Sequence, residues 1–214
     1  TYQDNLPHKD FDISLFQEYD KAREHIVMKL VNAKKNQNLL QHVPHILIYD
    51  LAIVFLFCVS DFMHEHATIL IYNKHLELWN VNANDLYEVA KVNSPNILPP
   101  RLDYLHDIFE CITNESLSFL DEMKICILTN HLKIHGATCL VYTGLLKEIA
   151  DIYEDDVVIL PSSIHELLVF PKGSLPKDYT LEYLNTMVQD INETQLSDAE
   201  TLSDHVYCYH RDTD

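Results

Sequence analysis

Residues 46–59 read ILIYDLAIVFLFCV, a nearly unbroken apolar run with a single charge at Asp50. A run of this kind has to be buried, and its β-branched and aromatic side chains favour strand over helix. It falls short of the roughly 18 residues of a membrane-spanning helix, and no other window of the chain reaches that length. Residues 67–72 (ATILIY) have the same character, with a polar stretch of hairpin length, 60–66, between them. The pattern predicts two adjacent buried antiparallel strands.

The rest of the chain alternates between helical and strand-like patterns. Residues 1–12 are polar and read as an arm or linker. Ser14 and Gln17 have capping-box spacing, and Leu15, Tyr19, Ala22, Ile26 and Leu30 continue as an amphipathic helix. Leu76–Trp79 alternates like a strand, with Trp79 expected in the core. Asn82 or Asn84 can cap a helix carrying Leu86, Val89 and Ala90, stopped by Pro95 and then Pro99-Pro100. Leu102, Leu105, Ile108, Phe109 and Ile112 mark another helix, with Pro100 near its first turn. Residues 124–129, 137–142, 157–160 and 167–170 read as strands, and Gly136 suits a turn with positive φ. Thr143 can cap a helix through Tyr153. Leu181, Leu184, Val188 and Ile191 define a last long helix, and Val206–Tyr209 a last strand. Residues 67–72 and 137–142 share the pattern AT-x-L-x-Y, an echo that suggests two similar β-hairpin-plus-helix lobes. The expectation is one α+β domain over residues 13–210, with a mixed or mainly antiparallel central sheet flanked by helices. A chain beginning at Thr1 without a Met reads as the C-terminal bulk of a longer protein.

Composition narrows the function. The net charge of −18 repels nucleic acid and anionic lipid, and the longest basic feature is Lys34-Lys35. The acidic surplus is spread along the chain and reads as a solubilising surface. Three glycines leave none for a phosphate-cradling loop. The five cysteines form no CxxC pair, and free thiols in a reducing cytoplasm are expected. The sequons at Asn114 and Asn192 are then irrelevant.

The candidate site residues are few. Residues 160–166 (LPSSIHE) are the densest polar cluster between apolar runs. Position 169 is Val, so His165-Glu166 is not a zinc-peptidase HExxH motif. Ser162 or Ser163 could be a nucleophile with His165 as base, Glu166 and Asp50 as acids, and Asn130 as a further member. No GxSxG elbow surrounds either serine, and a backbone-satisfying turn accounts for the same residues. Asp50, interrupting the apolar run, needs a partner or a polar face. His131 and His135 are spaced i, i+4, and His64 and His66 i, i+2, which makes them weak metal-ligand candidates beside a solvated-surface reading. No cofactor is called for. Protonating all thirteen histidines would bring the charge from −18 to about −5.

Several strings resemble a bacterial family, domain of unknown function 5688. They are Pro44-His45, residues 50–55, Ala67-Thr68-Ile69 with Asn73, Leu76 and Trp79, and Leu86-Tyr87-x-x-Ala90-x-x-Asn93-Ser94-Pro95. Leu128-Thr129-Asn130, Gly136-Ala137, residues 159–166, Asn192-Glu193-Thr194 and Leu202-Ser203-Asp204-x-Val206-Tyr207 follow. The segment around Pro161 is also weakly similar to domain of unknown function 1444. The resemblance implies a soluble bacterial protein with a further N-terminal region, and supplies no activity. The expected function is a non-catalytic protein-interaction domain of a cytoplasmic protein, taking a protein or peptide partner. A hydrolase-like enzyme on Ser163, His165, Glu166 and Asp50, or a histidine metal site, is the alternative.

Overall fold

The structure is a computed structural model that describes residues 16–59, 68–113 and 122–212. A short helix, α1 (Tyr19–Ala22), leads through a 3-10 turn into β1 (Ile26–Asn32). The expected helix through Ile26 and Leu30 therefore stops early. Residues 26–32 are apolar at nearly every position, so a helix would expose part of them, whereas a doubly covered strand buries both faces. The apolar run is two strands, not one. β2 (His45–Ile48) and β3 (Leu51–Cys58) form a hairpin about Tyr49-Asp50, with Tyr49 in the left-handed region at φ 53°. β3 is the centre of the first sheet: β1 runs antiparallel along one edge, from Ile26↔Phe57 to Asn32↔Leu51. β2 and β4 (Thr68–Leu70) share the other edge end to end. The short helix α2 (Gln37–Leu40) lies between β1 and β2.

Two helices follow. Residues 76–79, expected as a strand, lie in α3 (Asn73–Trp79), begun by a Tyr72 N–H bond to His75 Nδ1 and ended by Asn80 at φ 53°. Trp79 is buried as expected, its Nε1 donating to the Phe16 carbonyl. α4 (Ala83–Ile97) starts where its sequence directs: Asn82 accepts from Asn84 N and Asp85 N, and Asp85 accepts from Asn82 N. Pro95 lies inside α4 and does not stop it. The helix ends two residues later, at the Pro99-Pro100 pair.

The second sheet is built from β5 (Pro100–Tyr104), β6 (Cys126–Asn130), β7 (Val157–Pro161), β8 (Leu167–Pro171) and β9 (Tyr207–Tyr209). Its order is β5-β6-β8-β7-β9, antiparallel throughout. Leu102 lies in β5, and the helix expected there begins later as α5 (Leu105–Thr113). A strand is expected over residues 137–142, but residues 136–141 are a 3-10 helix, so the two echoing segments are not equivalent pieces. α6 (Leu145–Tyr153) starts from Gly144 at φ 80°, and α7 (Leu181–Gln195) is capped by Thr180. The class is α+β with antiparallel sheets, and the strands are shared between sheets of four and five.

One apolar core joins the sheets. It takes Met28, Leu30, Ile53 and Phe55 from the first, Leu128, Val157, Ile159 and Val169 from the second, and Leu86, Ala90 and Ile149 from the helices. Each large side chain so buried contributes about 1.5–3 kcal/mol. The free edge of β1 is closed by side chains. Met28 N donates to Ser94 Oγ (2.9 Å), Leu30 N donates to Thr138 Oγ1 (3.1 Å), and Asn93 Nδ2 donates to Ile26 O (3.0 Å). These groups stand where a further strand would otherwise pair. The 3-10 conformation at 136–141 is what brings the Thr138 hydroxyl to that edge.

Candidate functional site

Asp50 sits in the β2–β3 turn, half-buried, and accepts two short hydrogen bonds. Ser203 Oγ and Tyr207 Oη each donate to it, both at 2.6 Å. Such charge-assisted O–H···O⁻ bonds are strong and geometrically demanding. Burial, and then the Asp50 carboxylate itself, push the Tyr207 hydroxyl well above its ordinary range, so it remains a donor. The segment carrying these partners is held on three sides. Buried Asn192 donates to Ser203 O (2.9 Å) and to Asp204 Oδ1 (2.7 Å). Asn185 Oδ1 accepts from Val206 N, and Asn32 Nδ2 donates to Leu202 O. A groove of about 900 Å³ opens beside this network, its lining including Lys34, Lys35, His45, Asp50, Asp204 and His205. None of Ser163, His165 and Glu166 lines it.

Those three residues lie at the β7–β8 turn, around a second polar cluster. Ser163 N donates to Glu166 O, and Ser163 Oγ accepts from His165 N at 3.0 Å, the geometry of a hydroxyl closing a turn. His165 Nδ1 accepts from His135 N (3.1 Å), and His165 O accepts from Thr129 Oγ1 (2.8 Å). Gly136 fits between these groups. A Cβ there would lie 2.5 Å from His165 O and 2.7 Å from Asn130 N, and closer still to Thr129 Oγ1. Gly136 is thus required by close approach. The positive φ expected of it belongs to its neighbour His135, at 53°. Asn130, fully buried, ties the next turn, accepting from Leu132 N and Ile134 N and donating to Ile134 O. The fold brings Ser163, His165, His135 and Asn130 into one region and places Asp50 with Ser203 and Tyr207.

His135 and His165 stack at 5.4 Å between ring centroids. Burial, then Lys29 and His165, depress His135 to about 4, so the ring is neutral at physiological pH. Its Nδ1 is buried without a hydrogen-bond partner. The ring also lines an apolar pocket of about 370 Å³ with Val27, Leu56, Leu98 and Ile134, which can take a small apolar group. His131 is exposed, and His64 and His66 lie outside the described residues. Among the described residues, the three potential ligands that converge are others: Asp156, Cys208 and His210. The one signal for them in sequence is Cys208-x-His210, which shares a face only if the segment is a strand. Cys111 is exposed, Cys126 and Cys139 are buried, and all five thiols are free.

The two antiparallel sheets, closed over one core and flanked by helices, define an α+β protein whose polar clusters sit at strand turns. Residues 1–211 match the profile described as "Family of unknown function (DUF5688)", and the chain belongs to that family. Comparison with curated proteins and with solved structures finds no match. No helix among the described residues is long and apolar enough to cross a membrane.

Proposed function

We propose that this chain is a non-catalytic module that binds another protein through the outer side of α7. One observation carries the reading. Tyr183, Met187 and Ile191 recur every four residues of the helix, Tyr179 stands just ahead of its cap, and the four are 37–49% exposed. The adjacent face of the same helix, Leu184, Val188 and Asn192, is buried and anchors it. The helix therefore has two apolar stripes, and its own fold uses one. Tyr179 and Tyr183 pack edge to face at 5.1 Å, which stiffens the stripe. Tyrosine and methionine are enriched where proteins meet. Glu182, Asp190 and Glu193 follow on the far side of the stripe, at 100° per residue. The matching partner presents an apolar ridge flanked by Lys or Arg. A second copy of this chain, also at −18, fits poorly.

The test is co-purification from cells that make the protein, with the chain and a Tyr183→Lys/Met187→Lys variant as parallel baits. A protein held by the first, lost with the second and weakened by salt supports the reading. Identical captured sets, with the variant's circular dichroism unchanged, overturn it.

A further inference from the structure

We infer that Asp156, Cys208 and His210 form a zinc site at the β7–β9 edge of the second sheet. Strand register creates it. β7 and β9 pair antiparallel with Val158 opposite Cys208 and Val157 opposite Tyr209, so the next position sets Asp156 opposite His210. Alternate residues of a strand point to one face, so Cys208 and His210 stand side by side on it, with Asp156 across from His210. The carboxylate, thiol and imidazole atoms all lie within 4.8 Å of one another. Asp156 Oδ2 is already 2.9 Å from His210 Nδ1. The other carboxylate oxygen accepts from Arg211 N at 3.1 Å, which fixes its orientation.

Bond lengths of about 2.0–2.3 Å to tetrahedral zinc put ligand atoms roughly 3.4–3.7 Å apart. The cluster thus takes an ion by drawing in its widest separation by about 1 Å and opening the Asp156–His210 pair by about 0.5 Å, within the reach of side-chain rotation. The mixture of sulfur, imidazole nitrogen and one carboxylate oxygen selects zinc over magnesium or calcium, which take oxygen ligands. Three protein ligands leave the fourth position to water. Binding releases the Cys208 thiol proton and takes His210 as the neutral imidazole tautomer that carries its proton on Nε2, leaving Nδ1 for the ion. Lys172 completes the same cross-strand row and reaches Asp156 Oδ2 at 3.3 Å. Its ammonium, on a flexible and partly exposed stem, competes with the ion and must swing outward.

The test is titration of the purified full chain with Co²⁺, a spectroscopic stand-in for zinc. The expected result is a thiolate-to-cobalt charge-transfer band saturating at about one equivalent and bleached by Zn²⁺. Cys208→Ser abolishes the band, His210→Ala and Asp156→Asn weaken binding at least tenfold, and Lys172→Met tightens it. Cys58→Ser and Cys111→Ser leave it unchanged. With thirteen histidines, nitrogen-only binding elsewhere is a real competitor. A cobalt spectrum without the thiolate band, or a band that survives Cys208→Ser, overturns the site. An X-ray absorption spectrum of the zinc-loaded wild-type chain without sulfur among the ligands overturns it independently of any variant's folding.

Discussion

Tyr207 donates a 2.6 Å hydrogen bond to Asp50 across 157 positions of sequence. The bond joins the hairpin turn of the first sheet to an edge strand of the second. Ser203 donates to the same carboxylate, so one acid in the most apolar stretch of the chain organises two C-terminal hydroxyls.

Tyr207→Phe should cost about 1.5–3 kcal/mol, the range for a hydrogen bond to a charged group. Asp50→Ala should cost more, because it strands the buried Ser203 hydroxyl and the half-buried Tyr207 hydroxyl. The double variant should show a coupling of about 0.5–3 kcal/mol. Urea denaturation followed by Trp79 fluorescence measures all three. A Tyr207→Phe effect within about 0.5 kcal/mol, the range of a neutral surface change, would show that this bond does not tie the two sheets together.

Gly136→Ala should destabilise by about 1–3 kcal/mol or more through overpacking. The informative companion is Thr129→Ala. It removes the nearest clashing atom but leaves His165 O and Asn130 N at 2.5 and 2.7 Å from the new Cβ. The second substitution should therefore not rescue the first. Recovery to wild-type stability in the double variant would show that Thr129 alone sets the limit.

His135 gives the stability a pH dependence of definite sign. Its folded pKa is depressed to about 4, against an ordinary value of 6.5. Above 6.5 neither state is protonated and the full stability is present. Between 6.5 and about 4 the unfolded chain takes up a proton that the folded chain refuses, so stability falls as pH drops through that window. His135→Asn, which tolerates the left-handed backbone, should flatten this part of the profile. Denaturation midpoints at about pH 5 and about pH 7 make the comparison. An unchanged slope would assign the pH dependence to other histidines.

Thiol labelling should follow exposure and thiolate character. Cys111, exposed on α5, should react first. Burial pushes Cys58 to about 11 and Cys139 to about 12, so both should resist a maleimide at neutral pH until denaturant is added. Mass spectrometry of briefly labelled native protein reads this directly. Early modification of Cys139 would contradict its packing, with its Sγ against Thr129 O at 3.2 Å.

Local chemistry determined a good part of this protein. The apolar runs at 51–58, 157–161 and 167–171 became buried strands because such residues leave no face for water. The Asn82–Asp85 box started α4, and the 181–191 spacing became α7, because capping and periodicity act within a few residues. Short segments with mixed signals were decided by their surroundings. Residues 76–79 alternate like a strand but lie in a helix that buries Trp79, and residues 137–142 look like a strand but coil so that Thr138 reaches the β1 edge. The polar clusters were decided by tertiary structure alone. Asp50 announced itself as a charge needing a partner, yet Ser203 and Tyr207 are more than 150 positions away. Asp156 meets Cys208 and His210 through strand register, and register is a property of paired strands that neither strand carries by itself.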